Sequence, residues 1–115
     1  MKKTSVFIYD ELSDRLFISN KKENDEIYGS VRLLSLTLDF TTDMRVVNIE
    51  LREASRFLES LNINSNILNN LSDAEFIIQQ QQDGYLIYFI LKAGAQVERI
   101  PYNIITEKNL SIISA

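Results

Sequence analysis

The sequence predicts an α+β fold in which two antiparallel β-meanders are joined by one or two short helices packed on the sheet. Three observations carry this reading. Residues 6–51 alternate apolar and polar side chains in short runs separated by turn residues, as half-buried strands do. From Glu53 to Leu71 apolar residues recur instead at spacings of three and four, the signature of one helix face. After Ser72, β-type runs return around Asp83-Gly84 and Ala93-Gly94-Ala95, two turn signals. A chain of 115 residues allows one domain and hardly two, so 1–115 is read as a single unit, with 72–113 a β-hairpin extension of the first part.

In order, Val6-Phe7-Ile8-Tyr9 is a strand, and Asp10 to Asp14 is a turn, because Ser and Asp side chains bond the local backbone. Arg15-Leu16-Phe17-Ile18-Ser19 is the return strand of a hairpin. Asn20 to Glu26 is a charged, solvated loop. Ile27 to Leu38 alternates imperfectly, whereas Leu36-Thr37-Leu38-Asp39-Phe40 alternates well and turns at Thr41-Thr42-Asp43 into Arg45–Leu51. There Val47, Ile49 and Leu51 are expected on one face, with Val46, Asn48 and Glu50 on the other. This gives a first meander of about four strands.

Phe57, Leu58 and Leu61 mark the first helix, with Ser55 as its expected N-cap and Asn62 as its stop. Asn64 to Leu71 repeats the spacing in a shorter piece. The pair has a helix–turn–helix shape only, without the positive charge needed to read DNA. Glu75 to Gln82 is the next strand. Tyr85 to Leu91 is apolar on both faces and is expected as a central strand covered above and below. Gln96 to Ile105 follows, with Pro101 restricting it to an edge or a bulge because proline lacks a ladder donor. Leu110 to Ile113 adds a short terminal strand.

Composition removes most chemistry. With no His and no Cys, imidazole acid–base work, the Ser-His-Asp arrangement, disulfides, thiolate chemistry and most transition-metal sites are excluded. Twelve basic against 16 acidic side chains, a net charge of −4, argue against a generic nucleic-acid binder. Three separated glycines do not build a phosphate loop. Met1-Lys2-Lys3 is followed by an apolar stretch too short for a signal peptide, and the longest apolar run, Tyr85–Leu91, is too short to cross a bilayer. A soluble, cytoplasmic chain without a cofactor is the expectation.

Tyr9-Asp10, Asp14 and Leu16-Phe17-Ile18 together resemble the opening of domain-of-unknown-function family 2283. The likeness continues through Leu38-Asp39, Asp43, Val46-Val47-Asn48-Ile49-Glu50-Leu51 and Ala54-Ser55, with Asn48 standing where the family usually has Gly. It covers residues 6–58. The resemblance implies no activity.

Carboxylates are the abundant groups capable of chemistry. Asp10, Asp14, Asp39 and Glu50 form a candidate polar cluster for acid–base work or for a hard cation such as Mg²⁺ or Ca²⁺, although no calcium-loop spacing is present. Their structural reading is that Asp10 and Asp14 organise a turn, and that Glu50 pairs with an Arg such as Arg15 or Arg52. Arg52, Ser55 and Arg56 form a candidate anion site at the helix start. Surface pairs along the helix explain the same arginines, Glu53 with Arg56 among them. The aromatics Tyr85, Tyr88, Phe89 and Tyr102 suit core packing better than base stacking, given the missing basic strip. Gln79 to Gln82 offers a polar edge to another chain or simply faces water.

These features predict a non-catalytic association module that binds a second copy of itself, as a homodimer, or a protein partner. A small chain buries modest surface, and Tyr85–Leu91 needs more cover than short helices supply. The alternative is a carboxylate-based, in one version Mg²⁺-dependent, enzyme or a small-ligand-binding protein.

Overall fold

Apolar alternation folds the chain into two antiparallel sheets with two short helical segments between them in sequence. A computed structural model describes residues 6–81 and 84–105. The elements are β1 (Val6–Asp10), β2 (Arg15–Ser19), β3 (Ile27–Leu33), β4 (Leu36–Thr41), β5 (Val46–Arg52), α1 (Ala54–Ser60), a 3₁₀ helix (Ser65–Asn70), β6 (Asp73–Gln81), β7 (Gly84–Ala93) and β8 (Gln96–Ile105). The first sheet has the order β1-β2-β5-β4-β3, and the second β6-β7-β8.

The second sheet is a meander, and the first is not. Loop 20–26 carries the chain from β2 to the far edge, and β5 returns to pair with β2. Side-chain burial selects this order: Leu16 opposes Leu51 and Ile18 opposes Ile49, all four buried. The imperfect alternation from Ile27 to Leu38 is in fact two strands. Leu33 pairs with Leu36 across a turn at Leu34, which sits at φ 54 and is exposed. Left-handed backbone is costly for leucine, so no turn residue announces this hairpin.

One expected face is corrected by a β-bulge. Asp39 pairs with Asn48, but Phe40 pairs with Val46, leaving Val47 as the extra residue. The slip turns Val46 toward the core with Phe40, as the facing rule for a paired register requires. Val47 is buried but stands outside the contiguous core.

That core is a single cluster drawn from the inner faces of both sheets. Leu16, Ile18, Leu38, Ile49 and Leu51 of the first sheet join Phe76, Ile87, Phe89, Leu91 and Ile100 of the second, together with Ala54, Leu58, Ile67 and Leu68 of the helical segments. Phe57 of α1 meets Phe89 edge-on at 6.5 Å and Tyr102 at 5.2 Å, so the helix is locked to the second sheet by an aromatic triad. The aromatics Phe89 and Tyr102 thus pack as expected of core residues.

α1 is closed off by Asn62, just past its C-cap Leu61, as the stop read from the sequence indicates. Asn62 adopts φ 62, its N–H donates to the Glu59 carbonyl at 3.0 Å, and the Ile63 N–H donates to the Leu58 carbonyl at 3.0 Å. This is the Schellman closure, with Asn in place of Gly. The shorter piece that follows is 3₁₀ rather than α, capped by the Asn64 side chain accepting from the Asn66 N–H at 2.9 Å. Pro101 lies on β8, at an edge. Gln81 pairs with Gly84, so the connecting positions 82 and 83 lie outside the described residues, as do Leu110 to Ile113.

β7 is the centre of its sheet, but its two faces differ. Ile87, Phe89 and Leu91 are buried, while Leu86, Tyr88 and Ile90 on the other face are only half-buried. Cover from both sides is not found among the described residues.

Burial separates two substitutions on the first sheet. Ile49→Ala, at a fully buried site, is expected to cost about 2–5 kcal/mol in urea unfolding. Ile8→Ala, 60% exposed on edge strand β1, is expected to change stability by less than about 0.5 kcal/mol.

Candidate functional site

Asp14 is the most connected of the sequence-selected carboxylates. It ends the four-residue turn between β1 and β2 at φ 57, a conformation that Asp tolerates better than most side chains. One carboxylate oxygen, Oδ1, accepts the Tyr9 hydroxyl at 2.6 Å and the Ser55 N–H at 2.9 Å; Oδ2 accepts the Ser55 hydroxyl at 2.7 Å. Its main-chain carbonyl accepts the Ala54 N–H at 3.1 Å.

Ser55 is therefore not the N-cap. The cap position is Glu53, at φ 54 and without a side-chain cap bond, and Asp14 caps the helix from 41 residues away. It satisfies an orphan N–H of the first turn, as a local cap side chain would. Burial works against the Asp14 charge. Hydrogen bonds from Tyr9 and Ser55, with the Arg56 charge nearby, outweigh that and hold its carboxyl below the usual carboxylate range. Tyr9 is pushed well above the ordinary phenol range by burial and by the carboxylate it faces.

The other three carboxylates have separate partners. Asp10 accepts the Leu12 N–H at 3.0 Å and shapes the same turn. Asp39 accepts the Ser30 hydroxyl at 2.6 Å and the Asn48 amide at 2.9 Å, and Asn48 in turn accepts from Ser19 at 2.5 Å. This polar row crosses four strands on the outer face of the first sheet. Glu50 lies 3.8 Å from Arg15, one of the two partners expected for it. Among the described residues no group of three or more Asp or Glu is placed to hold a metal ion.

The proposed anion trio is likewise divided. Ser55 belongs to Asp14, and Arg56 pairs with Glu53 at 3.3 Å on the helix surface. Arg52 donates to the Thr37 hydroxyl at 2.7 Å and to the Leu34 carbonyl at 2.5 Å. Loop 20–26 is tied down rather than simply solvated: Asp25 accepts from Arg45 at 2.5 Å, and the Asn20 N–H donates to the Val47 carbonyl at 2.7 Å.

Two features remain that residue motifs do not announce. The first is the outer face of the second sheet. Its rows read Glu75, Ile90, Arg99 and Ile77, Tyr88, Pro101, with Val97 beside Lys92. Ile77 is 40% and Val97 57% exposed, and the Arg99 guanidinium lies 4.5 Å above the Tyr88 ring. The only advance signal was the two-sidedly apolar run Tyr85–Leu91. The second is a cleft of about 530 Å³ between the sheets, lined by Phe40, Val46, Phe76, Ile78 and Tyr85 together with Lys22 and Arg45. No local pattern marks it, because its walls come from both sheets.

No family model, no curated protein and no solved structure matches this chain. Function must be read from the geometry alone. No helix among the described residues is long and apolar enough to cross a membrane.

Asp14→Ala removes a cap and leaves the Tyr9 hydroxyl without its acceptor, so it is expected to cost about 1–2 kcal/mol at neutral pH. Because the folded state lowers the Asp14 pKa, its stabilisation is present above the unfolded carboxylate pKa and is lost as pH falls through the folded one. Urea unfolding of both proteins across the acid range checks this. The gap between wild type and variant is expected to narrow toward low pH.

Proposed function

We propose that the protein is a cytoplasmic, non-catalytic association module, and that it pairs with a second copy through the outer face of β6-β7-β8. The observation that carries this is the arrangement of side chains on that face. An apolar centre of Leu86, Tyr88 and Ile90 is flanked by Ile77 on one side and Pro101 on the other, with Glu75 and Arg99 at opposite ends of one row. A two-fold axis lying along β7 between two such faces sets Tyr88 over Tyr88 and Ile90 over Ile90. It also sets Ile77 over Pro101 and Glu75 over Arg99, twice each. In these two rows apolar meets apolar and acid meets base under one symmetry operation, as an isologous interface favours, while Lys92 meets Lys92 at the end of β7.

Kinship of residues 6–58 with domain-of-unknown-function family 2283 is proposed on the segments quoted above, and it adds no activity to this reading.

Sedimentation equilibrium is expected to give twice the 13.3 kDa chain mass at micromolar concentration. Tyr88→Glu is expected to give a monomer with unchanged circular dichroism. Glu75→Arg and Arg99→Glu are each expected to weaken pairing, and their combination to restore it. A wild-type monomer, or a double variant weaker than both singles, overturns the reading.

The cleft between the sheets favours a second reading, a small-ligand-binding protein. Its volume falls in the range of ligand pockets, Phe40, Val46, Phe76, Ile78 and Tyr85 supply apolar and aromatic surface, and Lys22 and Arg45 supply cations on the lining. An amphipathic aromatic anion such as anilinonaphthalene sulfonate is expected to bind there and to lose several-fold affinity in Lys22→Glu. Equal affinity in that variant would count against the cleft.

A further inference from the structure

One cleft on the outer face of the first sheet gathers three arginines on a chain whose net charge is −4. Arg15 and Arg52 are direct cross-strand partners on β2 and β5. Both project outward, since their neighbours Leu16 and Leu51 are buried on the inner face. Arg32 lies on β3 opposite Thr37, the residue whose hydroxyl Arg52 grips. The three arginines line one cleft of about 470 Å³, framed by Ser13 and Ser35.

Their charges are compensated in part: Asp10 is the cross-strand partner of Arg15, without an ion pair between them among the described residues. Arg52 is held by a hydroxyl and a carbonyl, both neutral, at 2.7 and 2.5 Å. Glu50 approaches Arg15 only to 3.8 Å. Glu53, the acidic residue on the cleft wall, already serves Arg56 at 3.3 Å. Arg32 has no ion pair among the described residues. Arg15 and Arg52 stand directly opposite one another, an unfavourable like-charge pair that Asp10, across from Arg15 on β1, offsets in part.

The geometry points to a binding site for a doubly charged oxyanion, the phosphoryl group of a small molecule, in the cleft formed by Arg15, Arg32 and Arg52. Guanidinium forks match the spacing of phosphate oxygens, and the paired strands fix the positions from which the three side chains reach the cleft. Arg52 is preorganised by its two neutral partners. Ser13 and Ser35 add hydroxyls at the rim, and the volume leaves room beyond the phosphoryl group for the rest of a small ligand. The site is separate from the apolar face of the second sheet, so the association reading and this one fail independently.

Inorganic phosphate, pyrophosphate and acetate, each titrated at constant ionic strength, provide the test. Phosphate and pyrophosphate are expected to raise the unfolding temperature and to shift the Nε–Hε resonances of Arg15, Arg32 and Arg52 saturably. Acetate is expected to do neither. Arg32→Gln is expected to weaken pyrophosphate binding at least tenfold while unfolding, without ligand, at the same or a higher temperature than wild type. A structural role for Arg32 would instead lower that temperature. Equal responses to acetate and pyrophosphate, shifts at other arginines, or unchanged affinity in Arg32→Gln would each overturn the proposal.

Discussion

The Asp14 carboxylate joins three pieces of the chain: the first hairpin through Tyr9, the turn that ends in Asp14 itself, and the start of α1 through Ser55, with the Asp14 carbonyl adding the bond from the Ala54 N–H. The consequence extends past the helix. Only the segment after β5 connects the two sheets in sequence, and the point where α1 begins determines where Phe57 lands. Phe57 then closes the triad with Phe89 and Tyr102 on the second sheet. The Tyr102 phenol, pushed up by burial, is held in check by a hydrogen bond from the Ser35 main chain and by the Arg52 charge. A side chain of β8 therefore reaches back to the β3–β4 turn, and the sheets are tied through both ends of this chain of contacts.

Much of the architecture was legible because it depends on neighbours in sequence. Strand runs such as Arg15–Ser19, the stop at Asn62 and the edge placement required by Pro101 each follow from one residue type and its local backbone physics. What was not legible depends on partners far along the chain. Nothing local tells β5 to pair with β2 rather than extend a meander, because that choice rests on which buried rows match. The bulge at Val47 is equally invisible: Val-Val alternates acceptably in either register, and only Phe40 opposite Val46 decides it. Leu34 misled the reading of residues 27–38 for a different reason. Leucine carries a strong apolar signal, yet here it occupies a left-handed turn and is 87% exposed.

The candidate site residues show the same division. Residue type and spacing placed Asp14 and Ser55 at functional-looking positions, and the structure brings these two together, but as a helix cap. Asp39 joins a row with Ser19, Ser30 and Asn48 that satisfies the outer face of the first sheet. Asn48, where the resembled family usually has Gly, is the hinge of that row, donating with its amide nitrogen and accepting with its oxygen. A glycine at 48 would leave Ser19 and Asp39 to solvent. Glu50 found the arginine expected of it, and at 3.8 Å with both side chains partly exposed such a pair contributes little to stability.

The two outer faces of the molecule differ in their centres, and this asymmetry constrains how the protein can work. The first sheet turns a row of hydroxyls, amides and a carboxylate and three arginines outward, with Val6 and Ile8 exposed at its edge; the second turns out Leu86, Tyr88 and Ile90 between Glu75, Lys92 and Arg99. A single core cluster drawn from both sheets lies between them. Substitutions on one outer face share no partner with those on the other, so their energetic effects should add. Pairing through the apolar face would cover the surface least suited to water and leave both arginine clefts open on opposite sides of the pair. The reverse arrangement would set arginine against arginine and leave the apolar faces wet. On the proposed pairing, the second sheet serves association and the cleft of Arg15, Arg32 and Arg52 stays free for the proposed anion.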